Sequence, residues 1–176
     1  MQQNFIKLEN KRINLFKTIN QLDENIIYCK TSPDKWSIFQ IIFHLVKSEQ
    51  LTLLGLKKSL ADAKKLTNAG IKSRLRYFVL RSALISRFKF KAPPIVASIP
   101  EKYDMKELEL KWDKIRKDIN KFIETFPPDL EGKNIFKHPL VGWLNINQTI
   151  NFLHDHYDHH NRQIKTLLQL QNVSNN

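Results

Sequence analysis

Cysteine is nearly missing from this chain. Cys29 stands alone, which excludes an internal disulfide framework and any cysteine-rich zinc site and fits a reducing compartment. A lone thiol of this kind is expected to be a small buried apolar residue. Glycine is scarce too: four residues leave little material for the tight turns of an all-β architecture, so helices are favoured. No stretch approaches the ~18 uncharged apolar residues of a membrane-spanning helix, and the N-terminal MQQNFIKLENKRINLF has no apolar core of a secretory signal. These absences predict a soluble, cytoplasmic protein. Acid is missing from one region in particular. Between residues 57 and 91, eleven lysines and arginines face Asp62 alone, which accounts for ten of the twelve net positive charges.

What is present is helical periodicity. The 176 residues suit one domain with a proper core. Phe5, Leu8, Leu15, Ile19, Leu22 and Ile26 fall at helical intervals, with Arg12 filling the gap, and predict a first helix over about 7–27. Ser37 with Gln40 three residues on forms a capping box that opens a second helix, IFQIIFHLVKSEQLTLLGL. Asp104 and Glu107 open a third, whose stripe Met105, Leu108, Trp112, Ile115, Ile119, Phe122 runs to the break at Pro127 and Pro128. Asn145 and Gln148 open a fourth that carries Ile146, Ile150, Leu153, Ile164 and Leu167 to about Leu170. Four such stripes bury best against one another, so the fold expected is an all-α four-helix bundle over residues 1–172, with 173–176 a polar tail. Residues 57–103 are a long basic crossover between the second and third helices, read as a short extra helix followed by a proline-stiffened extended run.

The fourth helix contains HDHYDHH, four of the six histidines within residues 154–160. His156 and His160 are four apart and lie on the apolar stripe, close enough for both imidazoles to meet one ion. His44, on the second helix, is the candidate third ligand from a facing element. His154 projects toward Asp158 and His159 toward Asp155, as solvated i,i+4 partners. Trp36 and Trp143, flanking the starts of helices two and four, read as packing anchors. The HxxxH pair lacks the glutamate that follows the first histidine in zinc proteases, since Tyr157 stands there, so no general base comes with it.

KWSIFQIIFHLVKSE at 35–49 and HPLVGWLNINQTINFLHDHYDHHNRQI at 138–164 resemble, in order and spacing, the two signature blocks of DinB-like proteins. The resemblance implies a helical bundle with a long crossover between helices two and three, frequent homodimers, and a metal triad that falls on His44, His156 and His160. Relatives include bacillithiol and mycothiol transferases, maleylpyruvate isomerase-like enzymes and proteins described as metal-dependent hydrolases. The basic insertion departs from any one of these branches, so substrate does not carry over.

The function expected is that of a metal-dependent enzyme in which Zn²⁺ or Ni²⁺ activates a low-molecular-weight thiol or water for transfer or hydrolysis of a small-molecule substrate. Arg74, Arg76 and Arg81 are the expected contacts for the carboxylates of such a thiol. The alternatives are a non-catalytic metal-binding bundle and a module whose basic segment meets an anionic partner. Of the anionic partners, nucleic acid and a membrane surface both rank below a small molecule and a second copy of the chain.

Overall fold

The computed structural model describes residues 1–86 and 99–174, with side chains as far as Leu170. Four long helices carry the chain: α1 (Gln2–Ile19), α3 (Ile38–Ala61), α5 (Met105–Glu124) and α6 (Ile146–Ser174). Each starts or packs as its residues dictate. At α3 the Ser37 hydroxyl accepts from the Gln40 amide at 3.2 Å while the Gln40 side chain accepts from the Ser37 amide at 3.1 Å. The same reciprocal box, Asn145 with Gln148 at 2.8 and 3.0 Å, opens α6. Asp104 accepts from the Glu107 amide at 2.9 Å to open α5.

The apolar stripes meet in a ring, with α1 and α3 each packed against both α5 and α6. Leu8, Phe39, Ile42, Leu56, Leu108 and Trp112 are fully buried at its centre. Phe16 meets Trp112 edge-on at 5.9 Å between centroids, and the Tyr157 hydroxyl donates to the Lys11 carbonyl at 2.8 Å. One buried ion pair crosses this core: Arg116 of α5 donates to both carboxylate oxygens of Glu49 on α3 at 2.5 and 2.6 Å, and the Trp112 indole donates to the same group at 2.8 Å. Both partners are about 1% exposed, so the pair stands in a low-dielectric interior where either charge alone would be costly.

Two expectations from the sequence are corrected, and one element it did not announce is added. The first helix does not run through to residue 27: it ends at Ile19, and after a turn Asp23 takes an extended conformation and opens a separate short helix, α2 (Glu24–Tyr28). Leu22 and Ile26 still pack against the core, which is why their spacing imitated one continuous helix. Cys29 is exposed, because it follows α2, a helix that buries only Ile27. Residues 136–144, lacking any evident strand pattern, form a hairpin of β1 (Phe136–His138) and β2 (Gly142–Leu144). Its turn is built by the side chain of His138, whose Nδ1 accepts from the amides of Leu140 and Val141 at 3.2 and 3.4 Å, and by Gly142 at φ +83°.

The basic insertion contains the expected extra helix, α4 (Ile71–Ile85), which packs along α6 and against β2. The extended run anticipated after it lies largely outside the described residues. Among the described residues no helix is long and apolar enough to cross a membrane.

Candidate metal centre

The capping box at Ser37 sets the phase of α3, and that phase turns His44 inward with Ile41 and Leu45. The box at Asn145 does the same for α6, whose inward face carries Ile150, Leu153, His156, His160 and Ile164. Because α3 and α6 are neighbours in the ring, the three imidazoles meet. His156 Nε2 lies 3.2 Å from His44 Nε2 and 3.1 Å from His160 Nε2. All three residues are buried, and they form a group that could hold a metal ion. Among the described residues no other histidine, cysteine or acid joins that group.

Two observations test whether an ion suits these residues. The first is spacing: tetrahedral coordination by imidazole nitrogens at about 2.0–2.1 Å sets neighbouring nitrogens about 3.3 Å apart, close to the separations found. The second is proton count. Burial and the neighbouring histidines hold His156 well below the ordinary imidazole value, and burial with His44 pushes His160 down to about 3. Near neutral pH these two rings are therefore uncharged, the form that binds metal.

The tautomer of His160 follows from its surroundings. The Leu84 carbonyl, in the last turn of α4, can only accept, so His159 Nδ1, 2.8 Å away, donates to it. The Gln163 amide nitrogen, which can only donate, faces His159 Nε2 at 3.2 Å, and this leaves Gln163 Oε1 to accept from His160 Nδ1 at 2.8 Å. His160 Nε2 is left with its lone pair directed toward His156. This is the outer-sphere pattern that fixes a histidine for a metal. Aromatic rings enclose the group: Trp36 lies 5.0 Å from His44 and stacks on His160 at 6.3 Å, and Phe152 stacks on His156 at 5.3 Å.

The remaining candidates sit elsewhere. Asp155 accepts from the Tyr77 hydroxyl at 2.8 Å with Arg81 at 3.8 Å, and Asp158 pairs with Lys11 at 2.7 Å, so both tie α6 to neighbouring helices. His154 does face Asp158, at 3.5 Å, as its spacing predicts. His159 does not turn to Asp155, because α4 supplies the Leu84 carbonyl instead. Glu49, one turn and a half beyond His44, is held by Arg116 and Trp112. Trp36 is an anchor, but one seated on two candidate ligands; Trp143 is 36% exposed and anchors little. Arg74, Arg76 and Arg81 do not converge. Arg76 lines a cleft of about 300 Å³ with Lys72, Ser73 and Asn134, Arg81 lies by Asp155, and Arg74 faces solvent.

From the sequence, Gln163 and Glu49 match the family blocks and suggest structure around the site without a defined role; the place of Gln163 three residues after His160 was the signal that could have given it one. Sequence reasoning passed over His138, since a turn-capping histidine leaves no periodic trace.

A family model described as the DinB superfamily matches residues 7–164. No curated protein and no solved structure matches the chain.

Proposed function

The chain belongs to the DinB superfamily, and we propose that it is a metal-dependent enzyme acting on a small molecule, with His44, His156 and His160 holding a divalent ion, Zn²⁺ or Ni²⁺. The observation that carries this reading is the approach of three buried imidazole nitrogens to within 3.2 Å along two contacts. Three imidazole nitrogen donors without a carboxylate suit these borderline ions better than Mg²⁺ or Ca²⁺. When bound, the ion supplies Lewis acidity that brings a thiol or water toward its nucleophilic form near neutral pH.

The chain's own residues do the rest. Gln163 keeps the proton of His160 on Nδ1 and so keeps Nε2 available. Trp36 and Phe152 exclude water from the ligand rings and restrict their rotation. Arg76, beside Lys72 in its cleft, takes a carboxylate of a low-molecular-weight thiol, with Arg74 and Arg81 adding positive potential from the same helix.

Elemental analysis of tag-free protein tests the centre. Near-stoichiometric metal in the wild type that disappears in His156→Ala is the expected result; an equal content in both, or none after reconstitution, would refute it. Thiol binding tests the second part: Arg74→Ala, Arg76→Ala and Arg81→Ala combined should weaken it by at least about tenfold, the worth of one lost charge-assisted pair. Unchanged binding in that triple variant removes the arginines from the site.

A further inference from the structure

Helix α4 is buried along one face and apolar but exposed along the opposite one. Its inner face, Ser73, Leu80 and Leu84, is buried against the bundle. Its outer face carries Ile71, Leu75, Phe78, Val79 and Ile85, which are 84, 61, 65, 53 and 58% exposed. At ~100° per residue these five, with Ser82 among them, fall on one stripe about 120° wide, centred directly away from the buried side. Lys72 borders the stripe on one edge, and Arg74 and Arg81 on the other. From Ala63 to Pro100 the sequence contains no acid.

We propose that this outer face of α4 docks on an anionic lipid bilayer surface, with the helix lying in the plane of the interface. A contiguous exposed apolar stripe marks a partner, and the flanking charges say which. An interfacial helix sinks its apolar side chains to the headgroup and acyl boundary while cations on both edges meet anionic headgroups. Lys72, Arg74 and Arg81 stand where that geometry needs them. Nucleic acid fits poorly, because four of the five stripe residues are aliphatic and offer bases neither stacking nor hydrogen bonds. A second copy fits poorly as well: two-fold pairing through this face would set the same cations against one another, and of these only Arg81 has an acid beside it, Asp155 at 3.8 Å. On the opposite side α4 is fastened to α6 by the Tyr77–Asp155 hydrogen bond and by His159 and Arg162, which both donate to the Leu84 carbonyl. Docking through the outer face therefore leaves those attachments in place.

The test is co-sedimentation of the full chain with vesicles of phosphatidylcholine alone and of phosphatidylcholine mixed with phosphatidylglycerol. Binding to the mixed vesicles is expected, at least about tenfold weaker to the neutral ones and falling steeply with salt. The double variant Leu75→Ser, Phe78→Ser should weaken binding about tenfold or more by removing apolar area, with an unchanged thermal midpoint because both side chains are exposed. Should that variant fold poorly, Ser82→Glu, a single exposed change at the middle of the stripe, serves the same purpose and should also weaken binding. Absence of binding to the mixed vesicles overturns the proposal, as does binding that neither variant diminishes. So does a dimer in sedimentation equilibrium that Leu75→Ser, Phe78→Ser dissociates without any vesicle binding, which would assign the face to a second copy.

Discussion

At Gln163 a neutral side chain sets the tautomer of a candidate metal ligand. Its oxygen accepts a hydrogen bond from His160 Nδ1 at 2.8 Å, and its nitrogen donates to His159. Gln163→Leu keeps the volume and removes both hydrogen bonds, so His160 can take either tautomer and rotate more freely. Metal affinity is expected to fall roughly 10–100-fold, the usual cost of losing an outer-sphere partner, measured by competition with a chelator. Affinity unchanged from wild type would make Gln163 a spectator. Glu49 shows the contrary case: it lies near the cluster in sequence, yet its two oxygens are used by Arg116 and Trp112, so its role is to hold α3 to α5.

Among the elements, the hairpin has the narrowest tolerance. Gly142 at φ +83° closes the turn opposite His138, and the Arg76 guanidinium lies 3.7 Å from the place a Cβ would occupy. Gly142→Ala should cost about 1–2 kcal/mol through backbone strain, read from the urea midpoint; an unaltered midpoint would show that the turn relaxes. The helices themselves were legible because their signals are local. Ser37 with Gln40 and Asn145 with Gln148 announce their starts, and the stripes announce their buried faces. His44, His156 and His160 were legible for the same reason, being fixed by helical phase and spacing. The hairpin was not, since strands of three residues are too short to show alternation and the turn depends on a histidine side chain. The break at residues 20–23 was hidden because Leu22 and Ile26 keep an apolar spacing on both sides of it. The ion pair was hidden because an arginine beside Ile115 gives no sign of having a buried partner two helices away.

For the molecule as a whole, buried uncharged histidines tie stability to acidity. Burial pushes His138 down to about 4 from the ordinary value of 6.5, and His156 and His160 are shifted in the same direction. The unfolded chain binds these protons first. Their contribution is therefore complete above 6.5 and is lost as pH falls through the folded-state values; for His138 alone the loss is about 3 kcal/mol on reaching pH 4. Urea midpoints of metal-free protein should stay level above neutrality and drop steadily through this window, whereas a flat profile would mean that the rings are hydrated. Protons and metal compete for the same nitrogens, so metal affinity of the folded protein should hold through that window and fall only as pH approaches the folded-state value of about 3 at His160. The file of hydrogen bonds from Leu84 through His159 and Gln163 to His160 adds a longer-range consequence. It has a polarity, set at one end by a carbonyl that has no proton to give, and no member can reverse alone without bringing two donors or two acceptors face to face. The end of α4 and the tautomer of a candidate metal ligand are thereby linked, so that a shift in the last turn of that helix is expected to be felt at His160.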